Sequence, residues 1–90
     1  MDRFRIEKAR EKGATVLFLS GKIELAQIPQ LEEQLASESP VLALDLDEIT
    51  IVSAEVVDFL NDLEKRGVQL RRCPQFLREW IFKARDAGGS

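Results

Sequence analysis

The stretch DLDEITIVSAEVVDFL, residues 45–60, decides the interpretation of the chain, because it runs from an apolar strand into an amphipathic helix. The run VLALDL at residues 41–46 is apolar except for Asp45, which is typical of an inner strand covered by helices. Beyond the stretch's polar centre, apolar residues recur at helical spacing: Val56, Phe59, Leu60 and Leu63. We therefore predict a strand over residues 41–46, a short loop, and a helix over residues 53–66.

The segments after this helix predict a second strand and helix pair. Lys65, Arg66 and Gly67 predict the helix end, because the cations stabilise the negative end of the helix dipole and glycine accepts a left-handed conformation. Residues 68–72 predict a short strand. Pro74 predicts the start of a third helix, whose apolar face contains Phe76, Leu77, Trp80, Ile81 and Ala84.

The N-terminal third predicts a hairpin followed by one helix. The apolar Phe4 and Ile6 alternate with charged residues at the start of the chain, which predicts a strand, and TVLFL at residues 15–19 predicts a second one. An apolar stripe at helical spacing, with Pro29 in the first turn, predicts a helix: Ile28, Leu31 and Leu35. The expected fold is α/β, in the order β-β-α-β-α-β-α, with a four- to five-stranded mixed sheet and helices mainly on one face. We expect one domain over residues 1–85 and a disordered tail over residues 86–90.

Composition excludes several classes of function. The net charge of −3 argues against nucleic acid as the main partner. The absence of histidine removes the usual general base, and with a single cysteine it excludes zinc-finger sites. No apolar run approaches the roughly 20 residues that cross a bilayer, and the charged N-terminus does not resemble a signal peptide. We expect a cytoplasmic protein without membrane insertion.

The polar residues between strand and helix have structural explanations. Ser53 is expected to cap the helix through its hydroxyl, and Glu55 to stabilise its positive end. A serine nucleophile would need flanking glycines and a base, and the chain offers neither there. Five carboxylates could cluster at the loop end of the sheet: Glu24, Asp45, Asp47, Glu48 and Glu55. Nothing in their spacing forces the desolvation that a general acid–base pair needs, and weak divalent cation binding stays open at Asp47 and Glu48. Cys73 is expected to be an inert, partly apolar side chain.

Three stretches together resemble the STAS domain of bacterial anti-sigma factor antagonists and anion-transporter tails. LFLSGKIELAQIPQLEEQL, residues 17–35, is similar to the family's strand, turn and first helix, with Gly21 and Glu24 at the expected glycine and acidic positions. LALDLDEITIVSAEVVDFL, residues 42–60, resembles the family's strand and second helix, and RGVQLRRCP, residues 66–74, resembles its last strand. The resemblance spans nearly the whole chain.

The departure from the family lies at its phosphorylation motif, D-S-[ST]-G. The four matching positions are Ser53, Ala54, Glu55 and Val56, so alanine occupies the phosphoacceptor position. Glu55 places a permanent negative charge near the position where a phosphate would add about −2. The resemblance therefore implies a STAS-like module without the usual phosphorylation, and leaves phosphorylation of Ser53 as a minor alternative.

What the resemblance implies is a non-enzymatic bacterial regulatory domain that needs no cofactor and binds a protein, for example a kinase-type anti-sigma factor. A small-molecule or lipid sensor is the alternative, and a homodimer through a sheet edge or Trp80 stays open. We expect the partner to contact the loop before the second helix and that helix's exposed face: Ile51, Ser53, Ala54, Glu55, Asp58 and Asp62.

Overall fold

The computed structural model of the protein describes residues 3–88, with side chains described for residues 3–84. The strands are β1 (Arg5–Glu11), β2 (Ala14–Ile23), β3 (Val41–Val52) and β4 (Gln69–Arg71). The helices are α1 (Ile28–Ser37), which a 3-10 turn (Leu25–Gln27) precedes, α2 (Ala54–Lys65) and α3 (Gln75–Gly88). Because α3 continues through Gly88, it enters the predicted tail of residues 86–90, whose last two residues lie outside the described part of the chain.

The four strands form one mixed sheet in the order β1-β2-β3-β4. β1 pairs antiparallel with β2, whereas β2, β3 and β4 are parallel neighbours joined through α1 and α2. Right-handed crossovers that advance in one direction across a sheet place their helices on the same face. The predicted α/β class, with a four-stranded mixed sheet and three helices, is confirmed.

One hydrophobic core lies between the sheet and the helices. Alternate residues of the central strands enter it, because successive side chains of a strand point to opposite faces. Each of the three helices contributes fully buried side chains to the same cluster, and the largest members are Leu17, Leu19, Ile23, Leu31, Leu44, Leu46, Leu60, Leu77 and Ile81.

β3 is much longer than predicted, since it continues through the expected loop to Val52 and has 12 residues. The predicted loop is wrong because pairing with β2 shifts register between Phe18 and Ser20 and again after Gly21. Each such irregularity resets the alternation of faces. As a result Leu46, Ile49 and Val52 are all buried although they are three residues apart. The alternation of every second residue that usually indicates a strand is therefore absent from this part of β3.

Gly21 allows the backbone of the N-terminal segment to approach β2 closely at this irregular point. Its φ is +88°, and a Cβ at this position would lie 2.1 Å from the backbone oxygen of Arg3. Real Cβ atoms essentially never approach another heavy atom below 3.0 Å. The chain before β1 can therefore pack on β2 only if residue 21 lacks a side chain.

The end of α2 agrees with the sequence-based prediction. Arg66 follows the last helical residue, and Gly67 takes a φ of +101°. The N–H of Val68 donates to the carbonyl of Leu63, and the N–H of Gly67 donates to the carbonyl of Glu64. These two bonds define a Schellman motif, which ends the helix and directs the chain into β4.

An ion pair crosses the sheet face opposite the helices. Arg71 in β4 donates two hydrogen bonds to the Glu11 carboxylate in β1, at 3.1 and 3.2 Å. Because β1 and β4 are the two edges of the sheet, these side chains span β2 and β3. The hydrogen bond from Arg71 and its positive charge lower the pKa of Glu11.

Candidate functional site

The predicted site lies where β2 and β3 end side by side. Ile23 is the register partner of Val52, and the N–H of Ser53 donates to the carbonyl of Ile23 at 3.1 Å. From this point β2 leads through a turn into α1, and β3 leads directly into α2. The carboxyl ends of parallel strands are the usual binding edge of an α/β sheet.

Ser53 occupies the N-cap position of α2, but its side chain does not cap the helix. Its φ of −93° and ψ of 167° are those of an N-cap, and its carbonyl accepts from the N–H groups of Val56 and Val57. However, its Oγ makes no capping bond and is buried without a hydrogen-bond partner. The predicted hydroxyl cap is wrong, because the chain is tied to β2 at Ser53 and the hydroxyl lies inside the fold. A hydroxyl buried in this way is not presented to a kinase.

The remaining predicted residues form an exposed surface that begins beside Ser53. Ala54, Glu55, Asp58 and Asp62 are all exposed on α2, and Ile51 is 43% exposed at the end of β3. Ala54 and Asp62 are about 12 Å apart along the helix, given a rise of about 1.5 Å per residue. Ile51 and Ser53 thus lie at the end of β3, and the four α2 residues extend from there along the helix, with Asp62 two turns away from the strand end.

Leu25 is an exposed apolar residue of this edge that sequence reasoning missed. It lies in the turn after β2 and is 59% exposed. The turn is held by a 2.8 Å hydrogen bond from the N–H of Glu24 to Oε1 of Gln27. The Glu24–Gln27 spacing is that of a capping box and could have located the turn from sequence. Leu25 and Ile51 are thus two exposed apolar residues near this edge of the sheet.

Acidic residues are concentrated in the middle of the chain, which the small net charge conceals. Residues 28–66 contain ten acidic residues and two basic ones, a net charge of −8, whereas the rest of the chain carries +5. This segment contains α1, β3 and α2. The exposed carboxylates of Glu55, Asp58 and Asp62 make the outer face of α2 acidic. A partner for this face is favoured if its own surface is basic.

Three of the five carboxylates that could cluster are held in ion pairs, in which Asp45 and Asp47 share Arg72 and Glu24 has a different partner. Asp45, only 7% exposed, accepts from Nε of Arg72 at 2.8 Å and from the N–H of Asp47. Arg72 also lies 3.5 Å from Asp47, and Glu24 pairs with Lys22 at 3.6 Å. The hydrogen bond to Asp45 raises the pKa of Arg72. No group of three or more potential metal ligands occurs among the residues that the structure describes.

Cys73 has the surroundings of an unreactive thiol. It is partly buried and packs against the hydrophobic core. Burial raises the pKa of the Cys73 thiol, and the nearby Arg78 only partly opposes this effect. The fraction of reactive thiolate at neutral pH is therefore small.

The apolar face predicted for α3 is only partly buried. Leu77 and Ile81 are in the core, whereas Phe76 and Trp80 are exposed at its margin. Phe82 is exposed as well. The predicted stripe was too wide. Ile81 and Ala84, four and seven residues after Leu77, lie on the same helix face as Leu77 and pack in or against the core, whereas Phe76 and Trp80 are rotated away from it. Trp80 is therefore not a core residue.

Comparison of the sequence with models of protein families yields no match, and a search of curated proteins yields none either. The resemblance to the STAS family thus depends on the quoted motifs and their order. No helix within residues 3–88 is both long enough and apolar enough to cross a membrane.

Proposed function

We propose that this chain is a non-enzymatic protein-interaction domain of bacterial regulation, similar to the anti-sigma factor antagonists of the STAS family. The observation that supports the proposal is the exposure of the apolar Ile51 near the end of β3, together with the exposed carboxylates of the helix that follows it, α2. Apolar residues at an interface core with charged surroundings are typical of protein-binding surfaces.

The proposed binding mode does not use phosphorylation. Alanine stands at the family's phosphoacceptor position, and the hydroxyl of Ser53 is buried. Glu55, in the first turn of α2, supplies a permanent negative charge in the same region. We propose that the domain binds its partner constitutively, and that the partner is a cytoplasmic regulator such as a kinase-type anti-sigma factor.

The proposal is tested by quantitative affinity capture from the native cell. The tagged wild-type chain is compared with the double variant Glu55→Lys/Asp58→Lys, and Glu7→Lys, an exposed position on β1, is the matched control. We expect the double variant to capture at least about tenfold less of a specific partner than the wild type, because charge complementarity at an interface governs the choice of partner. The control should retain the partner.

Two results would contradict the proposal. One is equal capture by the wild type and the double variant when circular dichroism shows both to be folded. The other is a phosphate detected by intact-mass analysis on Ser53 of the protein from native cells, since constitutive binding would then be wrong.

A further inference from the structure

A groove on the helical layer lies between α1 and α2. It has a volume of about 300 Å³ and is open to solvent. An apolar cavity of about 150 Å³ accepts a benzene-sized molecule, so this groove can accept roughly two large apolar side chains. Its lining comes equally from the two helices: Glu32, Leu35 and Ala36 from α1, and Phe59, Leu63 and Arg66 from α2.

The floor of the groove is apolar and continuous with the core. Leu63 belongs to the core cluster, and Leu35 and Phe59 pack against it while remaining partly exposed. Side chains entering the groove would therefore remove the exposed parts of Leu35 and Phe59 from water. Burial of apolar surface of this kind favours association.

The walls of the groove are acidic. The exposed Glu32 of α1 lines the groove, and α1 has no basic residue. On the α2 side, the one cation in the lining, Arg66, is already paired at 2.7 Å with the exposed carboxylate of Asp62. An occupant with cations on both flanks would complement these walls.

We infer that this groove binds a basic amphipathic helix of a partner protein, with its apolar stripe on Leu35, Phe59 and Leu63 and its lysines or arginines against the acidic walls. A groove between two helices with an apolar floor suits a third helix, whose residues at i, i+3 and i+4 form one stripe. The inference depends on the proposed function, since it names the chemistry of the partner. The groove adjoins the outer face of α2, so one partner can contact both surfaces.

The test uses fluorescence anisotropy with a labelled 18-residue probe peptide that has leucine along one helical stripe and lysine elsewhere. A matched peptide carries glutamate at every lysine position. The full chain is titrated as wild type, as Ala36→Trp, which fills the groove, and as Glu32→Lys, which reverses one wall. Glu33→Lys is the control, because Glu33 is exposed on the same helix but does not line the groove.

We expect the lysine peptide to bind at least tenfold more tightly than the glutamate peptide at physiological salt. Ala36→Trp and Glu32→Lys should each weaken binding about tenfold, and Glu33→Lys by no more than about threefold, since Glu33 does not line the groove and salt weakens interactions between exposed charges. Because Ala36 and Glu32 are exposed, both variants are expected to stay folded, which circular dichroism checks.

The inference is overturned if the lysine peptide does not bind at millimolar concentration, if both peptides bind equally, or if Ala36→Trp binds like the wild type. These failures are distinct from failure of the proposed function. If the lysine peptide does not bind while capture from cells still depends on Glu55 and Asp58, only the groove is excluded as a binding site. If the peptide binds as expected but the variant Glu55→Lys/Asp58→Lys captures as much partner as the wild type, the proposed contact surface on α2 is wrong.

Discussion

Replacing Gly21 by alanine tests the packing of the N-terminal segment on the sheet. Two costs are expected. A non-glycine residue at positive φ costs about 1–3 kcal/mol. In addition, the new Cβ would lie 2.1 Å from the backbone oxygen of Arg3, so the backbone has to move by almost 1 Å to reach the 3.0 Å that real contacts respect. Forcing extra volume into a packed site costs about another 1–3 kcal/mol.

Gly13→Ala is a matched control for the first of these costs. Gly13 has a φ of +82°, close to the +88° of Gly21, but an added Cβ meets nothing within 4 Å. The difference between the two variants therefore isolates the steric contact with Arg3. We expect Gly13→Ala to lower the free energy of unfolding by about 1 kcal/mol and Gly21→Ala by about 3 to 4 kcal/mol.

The assay is urea denaturation followed by circular dichroism, supported by thermal melting. For a domain of this size, 1 kcal/mol corresponds to a shift in Tm of about 4–8 °C. Gly21→Ala should thus melt at least about 10 °C below Gly13→Ala. Equal losses in the two variants would refute the reasoning, because they would show that the segment before β1 does not pack against Gly21.

Three further outcomes are expected. Ser53→Ala should leave the free energy of unfolding unchanged or raise it, because a buried hydroxyl without a partner costs about 1–3 kcal/mol; a loss of about 1 kcal/mol in urea denaturation, as for a true N-cap, would contradict the structure. Because Arg71 lowers the pKa of Glu11 from its ordinary 4.5, the stability from this pair is complete above that value and is lost as the pH falls through the folded-state pKa. Unfolding curves from about pH 5 to about pH 3 should therefore fall less steeply for Glu11→Gln than for the wild type, and parallel curves would show that the pair does not form. Because burial raises the pKa of the Cys73 thiol, Cys73 should react with iodoacetamide at neutral pH more slowly in the folded chain than in urea, and equal rates would show that the thiol is accessible.

The candidate site was only partly predictable from residue patterns. The exposure of Glu55, Asp58 and Asp62 follows from their positions on an amphipathic helix, and the structure agrees. The exposed Leu25 was missed because its exposure depends on the 3-10 turn that follows β2. The orientation of the Ser53 hydroxyl was predicted wrongly, because the capping rule considers only the helix and not the strand to which Ser53 is tied.

The sequence by itself determined the features that depend on neighbours within a few residues. Helical spacing located all three helices, and the Lys65-Arg66-Gly67 run located the end of α2. Such signals are local because a helix turn closes within four residues and a Schellman motif within six.

Only the tertiary structure decided the features that join distant parts of the chain. The extension of β3 to Val52 depends on irregular pairing with β2, and the Glu11–Arg71 ion pair joins residues 60 positions apart. The groove exists because α1 and α2, separated in sequence by a whole strand, lie on the same face of the sheet. The physical reason is that strand register and the spacing of helices depend on which surfaces meet across the core, and no short sequence pattern contains both surfaces.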